Sequence, residues 1–288
     1  MKKFLAHNAV PYGFLAPYLT IFMLFWAWPI GYSIYLSFMN TRVSPWVFNL
    51  TVNWGRLPSD PAFWNALRNT MTILLVQVPL MIALAMLLAL ALNSPLLKGA
   101  GFFRFAFFAP VVVGEVAYSA IFRLLFNADF GAVNALLGAM NMPTPAWLFQ
   151  PGYAMAVIIM AITWRWTGYN AIILLSGLQS IPNELYEAAE IDGAGSWATF
   201  WSIVLPSLRP VTLFAVVLSI IGTMQLFTEP WLVTGGGPGG ATTTLGVYLY
   251  QQGFRSFNFG YASAIAYVIV MLAMLFSLLQ MRLVGKEA

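Results

Sequence analysis

An all-α membrane protein with six transmembrane helices is the fold class this sequence predicts, and three observations predict it. Hydrophobic residues fill 60% of its 288 positions and charged residues only 8%, where soluble domains carry about 25% charged residues. Apolar runs of about 20 residues recur along the chain, enough to cross a hydrocarbon layer roughly 30 Å thick. Alternating segments of about ten residues, the mark of a membrane β-barrel, do not occur.

Six spans follow in chain order: 14–38, 71–92, 105–126, 153–176, 211–233 and 259–281. The first begins behind Lys2 and Lys3 as a secretion signal would. Its apolar run continues to about Phe38 without a small-residue cleavage site, so it reads as a retained span. An even number of spans puts both termini on one side of the membrane. That side holds Lys2, Lys3, Lys98, Arg104, Arg209, Arg282 and Lys286, and the other holds Arg42, Arg56, Arg68 and Arg255. Seven basic residues against four place both termini in the cytoplasm. Trp26, Trp28, Trp46, Trp54, Trp64, Trp147, Trp231, Tyr248 and Tyr250 cluster near the span ends, as interfacial anchors do. With no internal repeat and no linker, 1–288 is expected to be one transmembrane domain.

The net charge of +4 does not indicate nucleic acid, because the basic residues stand singly at span ends rather than in a patch. There is no cysteine, and the one histidine, His7, lies beside the amino-terminal lysines. Disulfides, thiolate metal sites and a His-centred catalytic or metal site therefore have no material; no metal is expected.

The connection 177–210 is the most unusual. Four of the nine acidic residues, Glu184, Glu187, Glu190 and Asp192, fall within nine positions there. Asn183 suits a helix cap and Glu184 the positive first turn. Leu185, Ala188, Ala189 and Ile191 offer a small flat face, and Gly193 permits a sharp reversal. A second amphipathic stretch, 196–204, leads to Leu205 and Pro206, where the proline is expected to break the helix before span five. A helix lying on lipid is usually rich in Lys and Arg, and none occurs between Ile181 and Arg209. The loop therefore reads as a knob for a partner protein.

Polar groups inside spans mark a second candidate site, since ionisable residues in a bilayer are costly. Glu115 and Arg165 lie near the middle of spans three and four. Glu115, Ser119 and Arg123 share a helical face with Tyr118 adjacent, and Thr163, Trp164, Arg165, Trp166, Tyr169 and Asn170 form a polar, aromatic stretch. Ser219 and Thr223 align in span five, with Gln225, Thr228 and Glu229 nearby. Rings that stack on C–H faces beside groups that bind hydroxyls suit a sugar. The alternative is a Glu115–Arg165 pair that holds helices together, with Ser and Thr bonded to backbone carbonyls.

The spacing of Glu187, Ala188, Ala189, Gly193, Ile203, Leu205 and Pro206 resembles the cytoplasmic-loop signature of permease subunits of binding-protein-dependent ABC importers. The segments 178–182, 63–70 and 234–238 are similar to the carbohydrate-uptake branch, that of maltose, lactose and glycerol-phosphate permeases. The resemblance implies a type I importer permease whose loop rests as a coupling-helix pair in a groove of an ATPase subunit. Glu187 would anchor it, Gly193 would permit its turn, and Asp192 belongs to the same motif. No Gly-x-x-x-x-Gly-Lys-Ser/Thr sequence is present, so ATP and Mg would sit on a partner ATPase dimer, with no cofactor in this chain and no enzyme activity of its own. A second homologous permease and an extracytoplasmic solute-binding protein are further expected partners. The segment 235–240 would lie near that binding protein, or be a flexible turn. Sugar contacts in maltose-type permeases, carried over, fall near Glu115, Thr163, Arg165, Trp166, Ser219 and Thr223. The substrate would be a sugar, glycoside or polyol, or a phosphorylated one held by Arg165, and the place a bacterial or archaeal inner membrane. A secondary transporter would need more midplane carboxylates, and an intramembrane enzyme lacks paired acids. Neither accounts for the acidic loop.

Overall fold

The structure, a computed structural model, describes residues 2–284, and side chains between 12 and 282. Lys286 lies outside the described residues, as do the side chains of Lys2, Lys3 and His7. The helices group into two compact units: Met1–Asp60 with Leu249–Val268, and Pro61–Tyr248 with Ile269–Ala288.

In the first unit, α1 (Lys2–Phe22) continues through a π turn, Met23–Ala27, into α2 (Trp28–Ser37). The wider turn ends where Pro29 has no N–H to offer the helical ladder. A short hairpin follows, β1 (Met39–Asn40) on β2 (Val47–Phe48). Asn53 ties it to α2 by donating to the carbonyls of Ser37 (3.0 Å) and Met39 (2.9 Å). Asp60 accepts from the Tyr261 hydroxyl at 2.7 Å, while Arg56 lies 3.3 Å from Asp60 and 4.1 Å above the Tyr261 ring. A Cβ on Gly260 would collide with the Met39 carbonyl, so only glycine allows that approach.

The second unit is built on α3 (Pro61–Asn93), α4 (Ala100–Val112), α5 (Glu115–Leu125), α6 (Ala132–Ala139) and α7 (Pro151–Leu178). Then come α8 (Asn183–Ile191), α9 (Ser196–Thr199), α10 (Leu205–Met224), α11 (Thr228–Thr234), α12 (Leu245–Tyr250) and α13 (Phe259–Val284), the last two running into the first unit's segment. Helices in lipid pack through small residues because hydrocarbon gives them no hydrophobic drive to associate. Accordingly α7 buries Ala154, Ala161, Gly168, Ala171 and Gly177. Gly168 meets the Phe107 carbonyl of α4, and a Cβ on Gly177 would lie 2.8 Å from Leu208 of α10.

Three expectations are corrected. Span three is not one straight helix: α4 and α5 meet at 95°. Val113 and Gly114 are extended there, three residues after Pro110. Span five runs from Ser196 to Met224, not to residue 233. Gln225 closes it as a cap, and Thr228 and Glu229 belong to the separate helix α11. Pro206 does not break the helix, because a π turn over Phe200–Val204 opens the ladder just before it and the chain stays helical.

Not every boundary aromatic faces the membrane. Trp147 donates to Asn134 at 2.8 Å and packs on Phe126 and Tyr153. Trp54 donates to Ser37, and Tyr248 is buried.

Candidate substrate cavity and acidic loop

A cavity of about 290 Å³ opens in the second unit. α3 supplies Gln77 and Met81, and α7 supplies Ile162, Trp166, Tyr169 and Asn170. α10 contributes Leu218, Ser219, Gly222 and Thr223; Glu115 and the segment from Gln225 to Glu229 complete the lining. Trp166 and Asn170 share a face because they stand four apart on a helix, and Asn170 donates back to the Trp166 carbonyl at 2.9 Å. The Trp166 and Tyr169 rings meet edge to face, centroids 5.6 Å apart. Ser219 spends its hydroxyl hydrogen on the Ala215 carbonyl at 2.8 Å, leaving lone pairs for a ligand.

The 95° turn sets Glu115 at the first position of α5. One carboxylate oxygen lies 3.7 Å from Arg165, and the other accepts from Thr228 at 2.9 Å. Arg165 is only 6% exposed and absent from the lining; its guanidinium sits 4.7 Å above Tyr118 and 5.5 Å above Trp166. Tyr118, fully buried, donates its hydroxyl to Glu229. Of the predicted residues, the structure brings Glu115, Trp166, Asn170, Ser219, Thr223 and Gln225 to the cavity. Arg165 and Tyr118 stand behind it, and Ser119 is buried while Arg123 is exposed. Thr163 lines a separate apolar hollow with Phe107, Val113 and Trp164. Sequence reasoning missed Gln77, although a lone glutamine inside span two carries the same signal as the polar residues it did single out.

The acidic loop has the expected helix, bend and second helix. Asn183 is not the cap: Pro182 holds that position, and Asn183 begins the helix without a side-chain bond to it. Gly193 adopts φ +73° with open space around it, so it serves the turn rather than a close approach. The turn closes through Gly193 N–H to the Glu190 carbonyl (3.0 Å) and Ala194 N–H to the Ala189 carbonyl (2.9 Å). The motif splits by role. Glu187, Ala188, Asp192 and Gly193 are exposed, and Ile191 is 86% exposed. Ala189 is buried, so the expected flat face loses it to the chain's own packing. Ile203 and Leu205, with Tyr186 and Phe200, pack on a cluster of Ala85, Ala89, Leu174, Leu178 and Leu208. Burial there raises the Tyr186 phenol above its ordinary pKa. The loop is thus seated on α3, α7 and α10, with its acidic face free.

The glycine-rich segment is tied down rather than loose. Asn65 and Asn69 both donate to the Gly240 carbonyl at 2.8 Å, and Asn69 also to that of Thr243 at 3.0 Å.

Residues 62–286 match the family described as binding-protein-dependent transport system inner membrane component. The chain is similar to the lactose transport system permease protein LacF of Rhizobium radiobacter, 44% identical over 271 residues, covering 93% of this chain and 91% of the relative. Its fold is similar to a chain of a bacterial ABC transporter involved in the import of the acidic polysaccharide alginate, with TM-score 0.86, 22% identity and coverage of 99% and 98%. A second structure, of a bacterial alginate ABC transporter in complex with alginate pentasaccharide-bound periplasmic protein, gives TM-score 0.84 at 20% identity, covering 97% and 95%.

Proposed function

The chain belongs to the family of binding-protein-dependent transport system inner membrane components, and from that premise we propose how it works. It is a multi-pass transport subunit of the inner membrane, not an enzyme, and it serves an ABC importer that takes its sugar from a periplasmic solute-binding protein. The sugar or glycoside passes along the cavity lined by Glu115, Trp166, Tyr169, Asn170, Ser219 and Thr223. ATP is hydrolysed on a separate dimer of ATPase subunits, and a second, homologous permease completes the path. Both termini lie in the cytoplasm, and the spans act as one transmembrane domain.

The observation that carries the coupling is the seating of the loop at 182–206. Its acidic face is exposed, while Tyr186, Phe200, Ile203 and Leu205 pack its other side on α3, α7 and α10. A push on Glu187 and Gly193 is therefore passed to the helices that line the cavity, since packed interiors transmit displacement rather than absorb it. Purification of the chain from its host in mild detergent, with mass spectrometry of what accompanies it, tests the assembly. A Walker-motif ATPase and a second permease are expected. Recovery of the chain alone, active in liposomes without ATP, would overturn the reading.

A further inference from the structure

We infer that the cavity selects against negative charge, so that the importer takes uncharged or cationic sugars and rejects uronic, aldonic and phosphorylated ones. This rests on the cavity being the sugar's path.

The Glu115–Arg165 pair is oriented. Half of the Glu115 side chain is exposed and its carboxylate lines the cavity, whereas Arg165 is buried and contributes nothing to the lining. Arg165 is held from behind by the faces of Tyr118 and Trp166. Arg165 turns one nitrogen to Glu115 and its plane to the two rings, and its buried Nε and Nη1, without a hydrogen-bond partner among the described residues, do not reach the lining, so a ligand meets the negative end of the pair first. Glu229 lines the same cavity, and no lysine or arginine does. The other polar lining is hydroxyl and amide, from Gln77, Asn170, Ser219, Thr223 and Gln225, set among rings and aliphatic side chains. Carboxylate oxygens only accept when ionised, so they bind hydroxyl or ammonium donors and repel an anion. Poor solvent screening inside the membrane strengthens that repulsion.

The test uses the assembled complex in nanodiscs without its binding protein, so that no upstream step filters the ligand. Affinities for lactose, aminated lactitol and lactobionate, three ligands of one size, are measured by saturation-transfer NMR. Lactose and the amine are expected to bind at least tenfold tighter than lactobionate, and Glu115→Gln is expected to shrink that ratio to about threefold or less. Equal or tighter lactobionate binding by the native complex overturns the inference, whether or not the variant assembles. An unchanged ratio in an assembled Glu115→Gln complex also overturns it. If none of the three binds while proteoliposomes still import sugar on ATP, the cavity is not the sugar's path: the inference falls with that path, and the importer reading stands. Absence of ATP-driven import would instead count against the proposed function.

Discussion

Arg165 reaches Glu115 from behind the cavity wall, its Nη2 3.7 Å from the carboxylate and its guanidinium stacked over Tyr118. The arginine holds the glutamate in place, and it is the glutamate that faces the cavity.

Removing the partner of a buried ion costs more than removing the pair, because an uncompensated charge stays behind. Glu115→Ala, which leaves the buried Arg165 without its counter-ion, should therefore lower thermal stability in detergent by about 3 kcal/mol. Arg165→Met with Glu115→Gln should recover most of that loss. A double variant no more stable than Glu115→Ala would mean that the pair is not the source of the cost.

Gly193 needs φ +73° and donates its N–H to Glu190. Proline can supply neither, whereas asparagine visits that region readily. Gly193→Pro should abolish ATP-driven uptake by proteoliposomes with the protein still inserted, and Gly193→Asn should keep most of it. Glu187→Lys reverses charge on an exposed position, so it should uncouple transport while leaving the stability within about 0.5 kcal/mol of native. Normal uptake in both Gly193→Pro and Glu187→Lys would remove the loop's role.

Much of this was legible in the sequence. Long apolar runs gave the spans, and the spacing from Glu187 to Pro206 gave the loop, because both signals are local. The 95° turn before Glu115 was not legible: a hydropathy window sums composition and is blind to direction, so two apolar halves read as one span. The end of span five was missed for the same reason, since Trp231, Leu232 and Val233 of α11 carry the apolar count past the Gln225 cap. Pro206 misled differently. The proline was visible, but the π turn that accommodates it depends on how Phe200 and Val204 pack on the core. Thr163 was grouped with Trp166 by proximity in sequence, although the helix turns it towards another hollow.

The crossing of α4 and α7 rests on Gly168. A Cβ there would overlap the Phe107 carbonyl, a backbone atom that cannot move aside alone. Gly168→Ala should push the two helices apart and cost about 1–3 kcal/mol through overpacking. Gly152→Ala, on the same helix with open space around it, is the control and should be neutral or slightly stabilising. Equal melting temperatures for the two variants would show that the α4–α7 contact is not tight.

Asn69 fastens the glycine-rich segment with two hydrogen bonds, to the carbonyls of Gly240 and Thr243, and is itself buried. Asn65 reaches only the first of those carbonyls, from a less buried position. Asn69→Ala strands the Thr243 carbonyl, and an unsatisfied buried group costs about 1–3 kcal/mol. The loss should be local, because the segment is also held by Thr243 donating to Gly236 at 2.9 Å and Thr242 to Gly237 at 2.8 Å. Hydrogen exchange across 235–244 should therefore quicken roughly tenfold or more in Asn69→Ala, with α3 and α7 unchanged. Asn65→Ala should give a smaller effect, since the Gly240 carbonyl keeps Asn69. No quickening in either variant would mean that the segment is ordered by its own bonds and not by α3.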